Sequence, residues 1–401
     1  MTAPMPSSHT DNPSPRIPTI TAYVSFVPIG IATVLLGPLL PVLSARWSLN
    51  YSQAGRLFPV QYVASTIAVA LSGLLASRFG FRVPIKIGLL LISLGLALLL
   101  IGAKLMAFAC IAAYGTGLGL AVPAANLMVA DLNPDRRSAS LNWLNFCWSI
   151  GAVTCPFLVA LAARNQRVPL LLIAVSAFSL AVALAFTLIP SPVAQMSLDQ
   201  SKEISAVSAI RNSSIPFLVL AALFFLYVGT ENGFGLWVAS YANALGKFAP
   251  AISLMTPSFF YASLTLGRCL APFLLRTVGE VRLVQIGLVL SCVGMAGMIV
   301  SNELGALIAS ACAAGLGLSY VYPITISLLA REFGSASTKV GSPMFVLSNL
   351  GGGLFPWIVG VFSTRFGTLK AGLLVPLLGC GAMLALYLTG WTSAKTSTSI
   401  D

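Results

Sequence analysis

Long apolar stretches separated by short polar ones dominate this sequence. The chain has 401 residues, of which 57% are hydrophobic and only 8% are charged. A soluble domain usually carries about 25% charged residues, so a fold this poor in charge could not cover its own surface in water. Lipid must surround most of that surface, and the sequence therefore predicts an all-α protein that crosses a membrane many times.

A helix needs about 20 mostly apolar residues to cross a bilayer. Twelve such stretches are predicted, and they are numbered helix 1 to helix 12 in chain order. They cover approximately residues 17–44, 52–76, 84–103, 106–130, 138–163, 168–189, 213–242, 250–275, 282–301, 304–330, 338–363 and 369–391.

The longest polar interruption lies between helices 6 and 7 and splits the chain into two halves. The predicted organisation is a cytoplasmic tail (1–16), an N-terminal six-helix bundle (17–189), a cytoplasmic linker (190–212), a C-terminal six-helix bundle (213–391) and a second cytoplasmic tail (392–401). The first tail has no basic region leading into a short apolar stretch, so helix 1 is expected to act as the targeting signal itself.

The two halves are similar to each other at an offset of 200 residues. Gly117, Leu118 and Pro123 recur as Gly317, Leu318 and Pro323; Gly151 and Pro156 recur as Gly351 and Pro356; Arg82 recurs as Arg282. Several matches at one offset indicate a duplicated unit and predict two pseudo-symmetric bundles. Parallel six-helix repeats with a site at their interface are a transporter architecture, and helices 1, 4, 7 and 10 are expected to line that site.

Basic residues in the loops predict the orientation of the chain. The net charge is +12. Thirteen of the basic residues fall on the side of the two termini and eight on the opposite side. Because cytoplasmic loops carry the excess of Lys and Arg, both termini are predicted to be cytoplasmic, in the plasma (inner) membrane. The positive net charge is therefore attributed to orientation in the membrane, and nucleic-acid binding is not expected.

Glu231 is the one acidic residue predicted to lie deep in a helix, in helix 7. An ionisable residue there costs several kcal/mol unless it faces a cavity or a partner. Desolvation favours its neutral form, so it could take up a proton on one side of the membrane and release it on the other. The structural alternative is a carboxylate paired with Arg268, the one basic residue deep in a predicted helix. The two roles are compatible if the pair breaks during transport.

Amide side chains on helix 5 are candidates for solute contact. Asn142, Asn145 and Ser149 are spaced i, i+3 and i+7, which places them on one face. Further polar and aromatic candidates are Asn126, Trp148, Asn232, Trp237 and Asn349. Carboxamides bind hydroxyls, and an indole face covers the C–H face of a sugar ring. Alternatively, the asparagines only hold helices together.

Neither an enzyme nor an ATP-driven pump is indicated. The seven cysteines all lie in apolar stretches without metal-ligand spacing, and the single histidine, His9, lies in the N-terminal tail. Walker motifs and nucleophile elbows are absent from the sequence. No metal and no cofactor is therefore expected.

The loop between helices 2 and 3 resembles the signature loop of the major facilitator superfamily. It reads Gly73-Leu-Leu-Ala-Ser-Arg-Phe-Gly-Phe-Arg82. The resemblance implies a conformational gating role for Gly73, Arg78, Gly80 and Arg82. Ser77 stands where the family has an aspartate, so the charge latch of the family is incomplete here.

Within the superfamily, the chain is similar to the fucose–galactose–glucose:proton symporters. The segments that carry this similarity are Ala124-Ala125-Asn126, Leu141-Asn142 through Asn145 to Gly151-Ala152, Tyr227 through Glu231, Gly267-Arg268, and Tyr322-Pro323 with Gly351-Gly352-Gly353. The resemblance implies a sugar site in which the amide pair of helix 5 contacts the solute, with Tyr322 nearby, and transport coupled to protons.

The departures from this family leave the coupling open. Val122 stands where the sugar permeases have an acid, and predicted helix 1 contains no acidic residue. Either Glu231 takes over proton coupling, or the protein is a facilitator or an antiporter. The preferred hypothesis is a monomeric symporter of protons and a hexose-type sugar. The alternatives are an exporter or facilitator of amphipathic compounds, and a receptor that binds a solute without moving it.

Overall fold

The structure is a computed structural model that describes residues 16–101, 103–188, 214–334 and 337–389. The predicted linker (190–212), the C-terminal tail (392–401) and the N-terminal tail up to residue 15 lie outside the described residues. Every regular element within the described residues is a helix.

Twelve helices, several of them broken into two segments, make up the described chain. Their bounds are Arg16–Val34 with Leu36–Trp47 (helix 1), Tyr51–Gly55 with Leu57–Phe79 (helix 2), Arg82–Leu98 (helix 3), Lys104–Leu132 (helix 4), Arg137–Arg164 (helix 5), Val168–Leu188 (helix 6), Ser214–Gly235 with Val238–Ala244 (helix 7), Pro250–Leu274 (helix 8), Glu280–Val300 (helix 9), Leu304–Leu318 with Val321–Phe333 (helix 10), Ser337–Arg365 (helix 11) and Leu369–Leu388 (helix 12). A 3₁₀ turn, Pro134–Arg136, precedes helix 5.

Ten of these helices are long and apolar enough to cross a membrane. The two exceptions are helix 3, which has 17 residues, and helix 8, which contains Pro250, Pro257 and Pro272. The all-α, multi-pass prediction is confirmed. The count of twelve spans stays a prediction, with which the twelve observed helices agree.

Prolines explain three of the breaks. A proline has no N–H to donate to the carbonyl four residues earlier, and its ring clashes with that carbonyl. Pro38, Pro59 and Pro323 each lie four residues after the point at which the first segment of their helix ends. Those ends are Val34 in helix 1, Gly55 in helix 2 and the region of Ser319 in helix 10. The positions of these prolines therefore account for the bends in helices 1, 2 and 10.

Close backbone contact between glycines joins neighbouring helices within each half. A Cβ atom on Gly117 would lie 2.5 Å from the carbonyl oxygen of Gly88, and one on Gly88 would lie 2.6 Å from that of Gly117. Gly317 and Gly287 meet in the same way in the second half. Helices 3 and 4 therefore pack as helices 9 and 10 do, and the repeat predicted from the sequence is present in three dimensions.

The two halves meet along two main seams. Helix 5 packs against helix 8, and helix 2 packs against helix 11. In the first seam, the Ser258 hydroxyl donates to the carbonyl of Val153 at 2.9 Å, and the rings of Phe157 and Phe259 lie 6.2 Å apart. In the second seam, the backbone N–H of Ser52 donates to Thr364 at 2.8 Å.

These contacts lie toward one end of the bundle, which we call the closed end. It carries the loops near residues 50, 166, 247 and 367. The end of helix 7 also packs there against the end of helix 1, where a Cβ atom on Gly37 would lie 2.9 Å from the Cα of Leu236.

Toward the opposite end, which we call the open end, the facing surfaces of helices 5 and 8 part. Phe146 lies about 20° around helix 5 from Phe157, and Leu266 lies about 20° around helix 8 from Phe259, by the 100° step of an α-helix. Phe146 is 43% exposed and Leu266 is 55% exposed. The same two faces that meet near the closed end therefore do not meet here, so a cleft separates the halves.

We expect Gly117→Leu to destabilise the protein by about 1–3 kcal/mol or more, because the new side chain would overlap the helix 3 backbone. The matched control is Gly305→Leu, because nothing lies within 4 Å of a Cβ atom there. Thermal unfolding of the detergent-purified variants measures the effect. Equal melting temperatures for the two variants would contradict the packing described here.

Candidate functional site

The polar groups at mid-height of the bundle centre on helix 7. Glu231 lies one helical turn after Tyr227, and both side chains point to the same side of the helix. Glu231 is only partly buried, whereas the Tyr227 ring is buried. A carboxylate partly accessible from the space between the halves satisfies the condition that makes an acid tolerable in a membrane helix.

Tyr227 lies between the acid and the deep arginine. Arg268 Nη2 donates to the Tyr227 hydroxyl oxygen at 3.2 Å. The Glu231 carboxylate also lies close enough to that hydroxyl to interact with it electrostatically. Glu231 and Arg268 attract each other electrostatically but form no direct ion pair. The pairing suggested by the sequence is therefore indirect, through a tyrosine.

Aromatic rings surround this group. The rings of Tyr227 and Tyr322 lie 5.3 Å apart with an angle of 31° between their planes. Phe224 contacts Tyr322 edge-on at 5.6 Å. Tyr62 and Tyr261 also lie within electrostatic range of Glu231. The cluster thus draws on helices 2, 7, 8 and 10, whereas the sequence predicted that helices 1, 4, 7 and 10 line the site.

One hydrogen bond of the site crosses between the halves. The hydroxyl of Tyr62 on helix 2 donates to Asn232 Oδ1 at 2.7 Å, and Asn232 Nδ2 donates to the carbonyl of Val228 at 2.9 Å. Both the oxygen and the nitrogen of the Asn232 carboxamide are thus hydrogen-bonded to other groups of the protein. In this conformation, Asn232 joins the halves beside Glu231.

The helix 5 amides are exposed and form no hydrogen bond with the helix 7 cluster. Asn142 and Asn145 are both exposed, and Asn142 lies about 20° around the helix from Val153, whose carbonyl meets helix 8. Asn145 Nδ2 donates to the carbonyl of Leu141 at 2.8 Å within its own helix. Asn142 makes no hydrogen bond to the residues described. Both side chains therefore keep free acceptor groups.

Other candidates from the sequence have varied surroundings. Asn126 Nδ2 donates to the carbonyl of Val122 at 2.9 Å, and Trp148 Nε1 donates to Thr33 Oγ1 at 3.3 Å. Asn349 is partly buried and makes no hydrogen bond to described residues. These three residues lie on helices 4, 5 and 11 and form no hydrogen bond with Glu231.

Trp237 lies away from the cleft and fills the closed end. It is fully buried, its Nε1 donates to the carbonyl of Pro356 at 2.9 Å, and its ring contacts Tyr51 and Phe58 at 6.2 and 6.1 Å. With its N–H used and its faces covered, Trp237 offers a solute no surface in this conformation. The sequence placed it in the substrate set because it could not show which end of helix 7 was closed.

The predicted gating residues lie at the open end. Nothing lies within 4 Å of a Cβ atom built on Gly73. Gly80 ends helix 2 with a φ of +80°, a conformation that side chains other than glycine rarely adopt. The Arg78 guanidinium lies 5.4 Å from the ring centre of Phe79, and Arg82 begins helix 3.

Three tyrosines of the cluster were not singled out as site residues from the sequence. These are Tyr62, Tyr227 and Tyr261. Tyr227 lies four residues before Glu231, so helical spacing alone could have indicated it. Tyr62 and Tyr261 lie on other helices, and only the packing of those helices brings them to Glu231.

A separate apolar groove of 570 Å³ lies on the side of the second half, between helices 7, 11 and 12. Its lining includes Leu226, Phe355, Phe362, Leu374 and Leu378. Lining side chains such as Leu378 are exposed on helices that span the membrane, so lipid chains can reach this groove.

Comparison with known families identifies the chain. The sequence profile of the Major Facilitator Superfamily matches residues 22–356. The chain belongs to this superfamily. It is therefore a multi-pass membrane transporter with the major facilitator fold. No curated protein matches its sequence.

Solved structures of other transporters share this fold. The nucleoside transporter NupG has a TM-score of 0.75 at 16% identity, covering 96% of this chain and 99% of NupG. A D-xylose-proton symporter has a TM-score of 0.74 at 19% identity, with coverages of 93% and 96%. The E. coli fucose:proton symporter FucP has a TM-score of 0.62 at 20% identity, with coverages of 94% and 99%. These likenesses confirm the fold of the transporter.

We expect Tyr62→Phe to shift the transporter away from the closed-end conformation. Loss of one hydrogen bond between the halves costs about 0.5–1.5 kcal/mol, which changes the conformational ratio roughly 2- to 10-fold. Distances between spin labels at Arg56 and Arg365, in a background without native cysteines, report the opening of this end.

The matched control is Tyr241→Phe. The Tyr241 hydroxyl donates to the carbonyl of Ile299 at 3.2 Å within the second half, so its loss does not bear on the contact between halves. If Tyr62→Phe and Tyr241→Phe give the same label distances as the parent protein, the bond to Asn232 does not help to hold the closed end.

Proposed function

We propose that this transporter moves a hexose-type sugar into the cell by alternating access, together with a proton that binds Glu231. The observation that carries this proposal is the placement of Glu231. It is a partly accessible carboxylate beside Tyr227 and Arg268, and Tyr62 reaches it from the opposite half.

The contacts of this cluster link the protonation of Glu231 to the conformation. The bond from Tyr62 to Asn232 forms where the halves are together, one residue from Glu231. When the halves separate at the closed end, that bond breaks and water from that side reaches the carboxylate. Water and Arg268 favour the charged form of Glu231, whereas a closed apolar site favours the neutral form.

The loop charges suggest the direction in which the cleft opens. By the excess of basic residues, the open end is the cytoplasmic side, both termini are cytoplasmic, and the membrane is the plasma (inner) membrane. The structure then corresponds to an inward-open state. We also propose that the chain is divided into two six-helix bundles, at 17–189 and 213–391, and that the protein is a monomer.

The exposed amides of helix 5 and the partly exposed Tyr322 of helix 10 support a sugar as the solute. Amides bind hydroxyls in pairs, and aromatic faces cover the C–H face of a pyranose ring. The named substrates of two similar structures, D-xylose and fucose, belong to this class. The apolar groove favours the second candidate, an exporter or facilitator of amphipathic compounds. A thermal-shift screen of sugars against amphipaths distinguishes the two, since a bound solute stabilises by mass action.

We expect Glu231→Gln to abolish accumulation of the solute against its gradient and to spare exchange of solute across the membrane. Glutamine mimics the protonated carboxyl permanently, so binding persists while proton release is lost. Uptake into proteoliposomes under a proton gradient, compared with counterflow, measures the two activities. Glu303→Gln, in the exposed loop before helix 10, is the control. Accumulation by the Glu231→Gln variant in response to a pH gradient rules out this coupling site.

We expect Asn142→Ala and Asn145→Ala each to weaken solute binding by about 1–3 kcal/mol, or roughly 5- to 150-fold, with little change in folded yield. The control is Asn165→Ala, because Asn165 makes the same bond to its own helix, to the carbonyl of Leu161 at 3.0 Å, but lies beyond the closed end of the cleft. Parallel losses of yield and affinity would show that the helix 5 amides hold helices together instead.

A further inference from the structure

Arg268 has unused hydrogen-bonding capacity at the centre of the fold. A guanidinium carries five N–H groups. Nη2 donates one to the Tyr227 hydroxyl at 3.2 Å, Nε is buried without a partner, and Nη1 makes no hydrogen bond to the residues described. A charged group inside a membrane protein normally pairs with an opposite charge, and unmet donors there are costly.

The position of Arg268 is fixed by packing. Its neighbour Gly267 contacts Ser319 and Leu316 of helix 10 so closely that a Cβ atom has no room. Helix 8 therefore packs closely against helix 10 directly beside Arg268. Among the residues that the structure describes, no carboxylate forms an ion pair with this cation, and Arg268 bonds to Tyr227 instead.

We propose that the transported solute carries a carboxylate, and that this carboxylate binds Arg268 while Glu231 is protonated. The inference rests on the proposed function and narrows its substrate class from hexoses to sugar acids. A guanidinium fork binds a carboxylate through two parallel hydrogen bonds, which are shorter and stronger than bonds between neutral groups.

The surroundings of Arg268 suit the remainder of such a molecule. Tyr322 packs against the buried ring of Tyr227 beside the cation, and its partly exposed ring offers an apolar face. Across the cleft, the free acceptors of Asn142 and Asn145 suit ring hydroxyls. The carboxylate, the ring and the hydroxyls of a sugar acid could thus each bind a protein group of complementary chemistry.

The carboxylate of Glu231 and the carboxylate of the solute compete for Arg268 and the Tyr227 hydroxyl. An ionised Glu231 repels a second negative charge, so the solute anion binds after Glu231 gains a proton. The other titratable groups around the cluster are Tyr62, Tyr227, Tyr261, Tyr322 and Cys155. Tyrosines and cysteines ordinarily titrate above pH 8, so these groups stay neutral between pH 5 and 7.5. One proton enters with one anion, and binding of the acid strengthens as the pH falls while the solute remains ionised.

The test compares hexuronates, such as D-glucuronate and D-galacturonate, with their amides and with the neutral hexoses. Binding to the full-length wild-type protein in detergent is measured by calorimetry between pH 5 and 7.5. We expect the acid to bind roughly 10- to 100-fold more tightly than its amide, the range of a hydrogen bond to a charged group. Arg268→Gln removes this preference, and Arg268→Lys restores part of it. Arg276→Gln, at the loop after helix 8, controls for surface charge.

The outcomes separate this inference from the proposed function. Preference for the acid in the wild type, with the pH dependence above, supports the inference even where an Arg268 variant does not fold. Equal or tighter binding of the amide or the neutral hexose overturns it and leaves the proposed sugar transport in place. If no sugar of either kind binds the wild-type protein, the inference and the proposed function both fail.

Discussion

Backbone contact at small residues holds each half of this transporter together, because lipid gives apolar helices no hydrophobic reason to associate with one another. Gly88 and Gly117 meet in the first half, and Gly287 and Gly317 meet in the second. Such contacts leave no room for helices to slide apart gradually. Each half therefore behaves as a rigid unit, and the motion that transport requires is left to the seams between halves, where side chains form the contacts.

The polar cluster lies where that motion has most effect. Helices 7 and 8 place Glu231, Tyr227 and Arg268 in the second half, and Tyr62 reaches the cluster from the first. Separation of the halves changes what faces the carboxylate without moving Tyr227 or Arg268. A small displacement at a seam is thus converted into a change of electrostatic environment, which is what coupling between protonation and conformation requires.

Sequence reasoning predicted the helices well and the site only in part. Apolar length is a local property, so the approximate helix bounds follow from it; proline position is local too, but the breaks before Pro38 and Pro323 were not predicted. Glu231 and Arg268 stood out because a charge in an apolar stretch is itself a local anomaly. The surroundings of Trp237 depend on which end of the bundle is closed, and the approach of Tyr62 depends on how helix 2 meets helix 7. Neither is encoded within a single helix.

The closed end is formed by uncharged groups. Trp237 donates to a backbone carbonyl, its ring contacts Tyr51 and Phe58, and the bond from Ser52 to Thr364 is likewise neutral. Added salt screens interactions between charges and leaves contacts of this kind nearly unchanged. The ease with which this barrier opens is therefore set by ring packing and is largely insensitive to ionic strength.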